Sequence, residues 1–556
     1  LTLTIDSTIQ SYAEQILEKG IAAYDVRNGG VCIVANPKTM EILAMASSPE
    51  FDPNNYSAIM DSLLQGEASS NVQGIYEQLK AENDQKPAEE QLTDAELQQQ
   101  AQSQANAAVR ETQWLNKGLR EPYEPGSTFK ALVLAAALEE GVVSESDTFY
   151  CPGYYEVNGV RIYCSERTGK HGNQTLAEAV QNSCNPAFMM IGQRLGAEKF
   201  YDYFEAFGMK EKTGIDLPGE LTGLVWDRDY ITSLEGYLSL ATASFGQRFT
   251  VTPIQMITAF SAVINGGNLY QPYVVQSISD ASGAVIQNTE PTLIRQVVSE
   301  ETSRRCRAIL ETVVSEGTGH NAYQAGYRIG GKTGSSETTE KDHTIVSFMG
   351  FAPADDPEVI VLLAYDNPKP SSPGSDWSTT GVYISGGNMA APMAGEVIAQ
   401  ILDYLDVEKQ YTAEESAAVD VTTPQVTGYT VADAETRLSN KGLSYRTIGE
   451  GDVVTSQVPA ANSAVPGGST VILYLGGAAP EETGTVPNVV GQSYEAAKNA
   501  LEAAGFFMRA TGTSTFYTNS SRAQSQSVAG GETAAIGTVI DVQFSTVVED
   551  GYAGLD

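Results

Sequence analysis

The sequence predicts an α+β protein: a large domain of helices with an antiparallel sheet, followed by two small βαβ-type modules. Three observations carry this. Between about Trp114 and Leu405, helical and strand-like segments mix without the regular βαβ alternation of a parallel sheet. Residues 29–47 and 344–365 read as antiparallel strand pairs. The last third repeats itself: Pro424, Val426, Gly428, Ala434, Leu438 and Gly442 match Pro487, Val489, Gly491, Ala497, Leu501 and Gly505 at a constant offset of 63.

Leu1–Ile5 is strand-like and Ile9–Ile21 helical, so the chain opens inside an element and an upstream segment is expected. Val31–Ala35 is a strand, Asn36-Pro37-Lys38-Thr39 a turn, and Ile42–Met45 the return strand. From 61 to 112 the composition shifts to Gln, Glu, Ala and Ser, which predicts a solvated helical or disordered insertion. Helices are expected at Thr128–Glu140, Leu176–Asn182, Pro253–Ile264 and Ala390–Leu405, with strands at Thr344–Phe351 and Val359–Tyr365. Farther on, Gln457, Gly468 and Leu473 match Gln526, Gly537 and Val542 at an offset of 69, so the second repeat is longer, with the extra residues expected in Thr511–Ser521. The expected boundaries are a large domain over 1–405, a linker over 406–422, modules over 423–477 and 485–546 joined by 478–484, and a tail over 547–556.

The net charge of −36, from 33 basic and 69 acidic residues, argues against nucleic acid as a partner and for a solvated surface. No apolar run reaches the roughly 18 residues of a membrane helix. The five cysteines, Cys32, Cys151, Cys164, Cys184 and Cys306, form no C-x-x-C pair, so no metal site is expected. No cofactor is expected either.

The chemistry concentrates in Tyr123-Glu-Pro-Gly-Ser127-Thr-Phe-Lys130. Pro125 and Gly126 stop the preceding chain, and Ser127 opens a helix that is apolar almost all round, hence buried. Residues three apart share a helix face, so the Lys130 amine reaches the Ser127 hydroxyl. Burial should lower the lysine pKa and make it a proton acceptor. Alone, S-x-x-K is more often a plain N-cap followed by a first-turn lysine. Two further motifs change the odds: Ser183-Cys184-Asn185 after a helix, and Lys332-Thr333-Gly334-Ser335 after Gly330-Gly331. The strand from Lys332 would offer backbone groups to an extended peptide. A Ser-His-Asp enzyme would need His171, His320 or His343 as base, and none has a partner motif. His320 reads as a loop residue and His343 as the start of a strand.

S-x-x-K, S-x-N and K-T-G in this order are the signature of penicillin-binding proteins and serine β-lactamases. Over roughly residues 1–405 the chain resembles a class B penicillin-binding protein, a D,D-transpeptidase of peptidoglycan. Gln181-Asn-Ser-Cys-Asn-Pro186, Ser244-Phe-Gly-Gln247, Val251-Thr-Pro-Ile-Gln255 and Gly350-Phe-Ala-Pro353 resemble family stretches too. The two modules resemble PASTA domains. Tyr150–Gly159, with Ser-Cys-Asn as second motif, looks most like the sporulation subgroup; a cell-division enzyme with PASTA modules is the nearest rival.

The resemblance implies that Ser127 attacks a D-Ala–D-Ala carbonyl, expelling D-alanine, and that Lys130 takes the serine proton. Ser183 and Asn185 would line the cleft, with Ser183 relaying a proton. Lys332 would hold the proton network and the substrate carboxylate, aided by Thr333. The backbone N–H groups of Ser127 and Ser335, beside Gly334, would form the oxyanion hole. It further implies stem peptides and β-lactams as ligands, a membrane glycan polymerase and divisome or spore-cortex proteins as partners, and placement outside the membrane on an N-terminal anchor. The alternatives are a D,D-carboxypeptidase, a β-lactamase, and a non-catalytic wall-binding or scaffold protein acting through its repeats. Cys164 and Cys184 are a candidate redox pair that would gate the cleft, with Cys151–Cys164 the competing pair and free buried thiols a third outcome.

Overall fold

The structure, a computed structural model, describes every residue except 61, 166–168, 339, 412–419, 478–482, 512–520 and 547–556. The expected tail, about half of the first linker, most of the second and nearly all of the extra segment of the second repeat lie outside the described residues. The chain divides into two compact units. The first is built from Leu1–Ala322 and Ile329–Asp406; the second holds Tyr323–Arg328 and the chain from Val407.

The first unit is organised by a five-stranded antiparallel sheet. Its strands are β1 (Gly30–Ala35), β2 (Ile42–Ser48), β7 (Gly330–Glu337), β8 (Thr344–Ala352) and β9 (Val359–Asp366), in the order β7-β8-β9-β1-β2. β1 and β9 lie in its interior, and β1 is buried at every residue, so its Gly-Val-Cys-Ile-Val-Ala run needs no polar alternation. β2 alternates buried and half-buried residues because it is an edge. β7 is the other edge, and its register sets Lys332 opposite Met349 and Thr333 opposite Phe348. Helix α1 (Ser7–Tyr24) and the last helix of the unit, α9 (Ala391–Tyr404), pack on the sheet.

The remaining helices form the large hydrophobic core. α4 (Lys130–Glu139) is buried from Lys130 to Leu138 and packs against α6 (Asn185–Leu195), α7 (Pro253–Ile264) and α8 (Glu300–Ser315). Its Ala-rich face admits neighbours closely. All of α7 is buried, and its start is fixed by a Thr252/Gln255 capping box with Pro253 in the first turn. β3 (Thr148–Cys151) pairs with β6 (Gly172–Thr175), and β4 (Tyr154–Val157) with β5 (Val160–Tyr163), forming a small lobe ahead of α5 (Leu176–Gln181). Positive φ at Asn158 and Gly159 turns the β4–β5 hairpin.

The Gln-rich insertion is ordered. It forms an antiparallel pair, α2 (Ser62–Asn83) and α3 (Asp94–Gln113). On α3, Leu97, Ala101, Ala105 and Val109 recur every fourth residue and are buried, giving a narrow apolar stripe in a polar sequence.

In the second unit each repeat has a helix, Val431–Ser439 or Tyr494–Ala503, and a three-stranded sheet with one parallel and one antiparallel pair. The repeat residues have matching tasks. Gln457 accepts a hydrogen bond from Val426 N–H at 2.8 Å and donates to the carbonyls of Pro424 and Pro459. Gln526 does the same with Val489, Pro487 and Val528.

Candidate active site

Ser127 lies in a 3-10 turn, Gly126–Phe129, and α4 starts only at Lys130. The sequence reading placed both in one α-helix. The tighter turn aligns residues three apart more closely than an α-helix does, and Lys130 Nζ stands 2.9 Å from Ser127 Oγ. Gly126 makes this turn possible: its φ is +54°, and a Cβ there would fall 2.4 Å from Ser336 Oγ. The turn is clamped on two sides. Gly126 N–H donates to the Gly246 carbonyl, and Ser336 Oγ on β7 donates to the Glu124 carbonyl.

Lys130 is fully buried and meets four oxygens: Ser127 Oγ, Asn185 Oδ1 at 2.7 Å, and the Ser183 carbonyl and Oγ. The Ser183 carbonyl and the Asn185 amide oxygen can only accept. Among these four, the two hydroxyls can exchange protons with the amine. Ser183 Oγ lies 3.0 Å from Lys130 Nζ and 2.9 Å from Lys332 Nζ, so it bridges the two amines. Ser183 holds a left-handed backbone, φ +50°, an uncommon and costly conformation for a serine, between the end of α5 and the start of α6.

A cleft of about 380 Å³ opens over this network. Ser127, Asn185 and Ser335 line it, together with Gln247, Glu337 and Tyr383, and Cys164 at its lobe side. Lys332 and Thr333 do not line it. Both are fully buried, and the Thr333 hydroxyl lies 3.1 Å from Thr318 Oγ1. The Lys332 amine meets Ser183 Oγ at 2.9 Å. Gly334 is a point of close approach between β7 and the serine turn. A Cβ there would lie 2.5 Å from Ser347 Oγ and 3.1 Å from the Pro125 carbonyl. Ser335 Oγ accepts the Gly386 N–H at 3.0 Å.

The histidines stand apart from this machinery. His320 is half-buried and desolvation lowers its pKa, and His343 is hydrogen-bonded to Asp366 at 2.5 Å, which raises its pKa. Neither lines the cleft with Ser127.

None of the five cysteines is in a disulfide. The candidate redox pair has its sulfurs 4.0 Å apart, and Cys151 joins them. Hydrogen bonds from Cys164 and Cys184 hold the Cys151 thiol well below its ordinary pKa; contact with Cys151 and Cys164, then burial, pushes Cys184 up.

The penicillin binding protein transpeptidase domain matches residues 30–382. The chain belongs to that family. This penicillin-binding protein also matches the PASTA domain twice, over 421–477 and 484–546. It is 38% identical over 489 residues to stage V sporulation protein D of Bacillus subtilis, covering 85% of this chain and 65% of the relative. It is 27% identical to the penicillin-binding protein PbpB of Mycobacterium tuberculosis, covering 67% of this chain and 49% of the relative. The chain thus spans between about half and two thirds of the length of these relatives. Among solved structures, the D,D-transpeptidase domain of a peptidoglycan glycosyltransferase from Eggerthella lenta matches with a TM-score of 0.56 and 27% identity, over 73% of this chain and 83% of that one. Penicillin binding protein 3 of M. tuberculosis in complex with aztreonam matches with a TM-score of 0.57 and 25% identity, over 73% and 80%.

In this penicillin-binding protein, the motif residues Ser127, Lys130, Ser183, Asn185 and Lys332 converge on one network. Sequence reasoning paired Cys164 with Cys184 or with Cys151, but it did not bring His171 to them. Cys151, Cys164, His171 and Cys184 come together although no two are close in sequence. A signal was present: three of the five cysteines and one of the three histidines fall within residues 151–184.

Proposed function

We propose that this chain is a peptidoglycan D,D-transpeptidase acting through a Ser127 acyl-enzyme. The observation that carries the proposal is the unbroken line Ser127 Oγ, Lys130 Nζ, Ser183 Oγ, Lys332 Nζ, with steps of 2.9, 3.0 and 2.9 Å. Of these four residues Ser127 lines the cleft, and the other three are fully buried.

Ser127 Oγ attacks the carbonyl between the two terminal D-alanines of a stem peptide, and Lys130 Nζ takes the hydroxyl proton. Such positioned proton transfer contributes roughly 10²–10⁴-fold. The carbonyl oxygen gains charge facing the backbone N–H groups of Ser127 and Ser335, a term worth about 3 kcal/mol for one donor. As the tetrahedral centre collapses, Ser183 gives its proton to the leaving nitrogen and takes the one held by Lys130, and D-alanine departs. Lys332, seated against Ser183 by Thr333, keeps that hydroxyl oriented. Asn185 fixes the Lys130 amine and flanks the incoming peptide. The edge strand β7 offers its backbone to the extended donor strand. An amine of a second stem peptide then resolves the ester. β-Lactams follow the same first step and stay bound. The aztreonam complex of a structural relative supports this.

The likeness to stage V sporulation protein D supports a place in spore or septal wall synthesis, on the outer face of the membrane, with the PASTA domains binding or positioning the enzyme at wall material. Among the described residues no helix is long and apolar enough to cross a membrane. Membrane glycan polymerases and divisome or spore-cortex proteins are the partners this placement implies. The test is a donor pentapeptide incubated with and without an amine acceptor. A transpeptidase yields the new amide in proportion to acceptor. Hydrolysis alone, unaffected by acceptor, would favour a carboxypeptidase and overturn the proposal.

A further inference from the structure

One cluster of chemically active side chains has no task in acyl transfer. Cys151 ends β3, Cys164 follows β5, His171 precedes β6, and Cys184 sits between Ser183 and Asn185. Their ligand atoms, one per residue, all lie within 4.8 Å of one another. The three thiols are buried and the histidine is half-buried.

The distances discriminate between two chemistries. Cys164 Sγ lies 4.0 Å from Cys184 Sγ and 3.5 Å from His171 Nδ1. A tetrahedral zinc ion, with Zn–S of about 2.3 Å and Zn–N of about 2.0–2.1 Å, has S···S edges of about 3.8 Å and S···N edges of about 3.5 Å. A disulfide needs its sulfurs about 2.05 Å apart. These two edges fit the metal polyhedron. One further feature bears on the cluster. His171 Nε2 is buried and has no hydrogen-bond partner, so a polar atom at the cluster is left unsatisfied.

We propose that Cys151, Cys164, His171 and Cys184 form a structural zinc site. Three soft thiolates and an imidazole select zinc over magnesium or calcium. Four protein ligands leave no open position, so the site holds structure and does not activate water. Three thiol protons leave as the ion binds. The ion ties the β3–β6 lobe to Cys184, whose neighbours Ser183 and Asn185 both contact Lys130. It thereby braces the strained Ser183 backbone, and through Cys164 it fixes one wall of the cleft. This last effect rests on the transpeptidase reading; the metal site does not.

The test starts with the whole chain purified in reductant without chelator, then equilibrated with zinc and freed of excess. Elemental analysis should give one zinc per chain. Cys151→Ser and His171→Ala should each lose it, and Cys306→Ala, a buried cysteine outside the cluster, should keep it. Because a ligand variant can misfold, cobalt is also exchanged into the wild type, where thiolate-to-cobalt charge transfer and tetrahedral d–d bands are expected. A reduced wild type that retains no stoichiometric metal and shows no such bands overturns the proposal. So does a disulfide mapped between any two of the three cysteines in the zinc-treated protein. Removing the zinc should slow acylation by a fluorescent penicillin about tenfold or more, as expected for a displaced catalytic group, and zinc should restore it. Unchanged acylation after verified removal overturns the link to Ser183.

Discussion

Replacing Lys130 with methionine isolates the amine from its packing. The side chain keeps nearly its length and apolar stem, so the core around α4 stays filled. What is lost is the one nitrogen that meets Ser127 Oγ, Ser183 Oγ, the Ser183 carbonyl and Asn185 Oδ1. The serine proton then has no amine within reach, because Lys332 Nζ contacts Ser183 Oγ instead. Losing a positioned proton acceptor lowers the rate by roughly 10²–10⁴-fold, or about 3–5 kcal/mol of barrier. The two oxygens that can only accept lose a donor at about 1–3 kcal/mol each. That is a fraction of the roughly 5–15 kcal/mol that holds a domain folded, so Lys130→Met should stay folded and melt several degrees lower. The assay is the second-order rate of fluorescent penicillin incorporation, with thermal melting in parallel. A folded Lys130→Met protein that acylates within about tenfold of wild type would refute the role given to the lysine.

Gly334→Ala places a methyl 2.5 Å from Ser347 Oγ and 3.0 Å from Thr128 Cγ2. The overpacking should cost about 1–3 kcal/mol in thermal unfolding, and a shift of β7 off the serine turn should slow acylation about 10²-fold. Gln457→Leu removes hydrogen bonds to Val426, Pro424 and Pro459. At about 1–3 kcal/mol for each orphaned group, it should lower or abolish the calorimetric transition of the first repeat while penicillin labelling of Ser127 is retained. His343 has its pKa raised by its hydrogen bond to Asp366. Its contribution to stability is fully present below the unfolded value of about 6.5 and is lost as pH rises through the higher folded value. The melting difference between wild type and His343→Gln should therefore be largest in mild acid and close in alkaline buffer.

The motif chemistry was legible because each piece carries its own local reason. Pro125-Gly126 stops the chain before Ser127, the apolar run after Lys130 demands burial, and Gly334 marks a close approach. The fold adds what spacing cannot: a 3-10 turn instead of α-helix at Ser127, and burial of Lys332 and Thr333 behind Ser183. The second-repeat match was legible down to Gln457 and Gln526, whose identical hydrogen bonds explain why the repeat keeps glutamine there. The Gln-rich insertion hid its order because an apolar face of Leu97, Ala101, Ala105 and Val109 is mostly alanine. The cysteine pairs of the cluster were legible, but the union of all three with His171 was hidden for a topological reason. Its ligands are thirteen, seven and thirteen residues apart and stand beside four different elements, so no pair pattern announces them.

The central claim is that Ser127 is the nucleophile of an acyl-transfer site, and intact-protein mass spectrometry after exposure to a penicillin tests it most directly. The account predicts one stable adduct per chain in the wild type, mapped to the peptide containing Ser127, and none in Ser127→Ala. An unmodified wild type, rapid turnover of the drug without an adduct, or equal labelling of Ser127→Ala would contradict it.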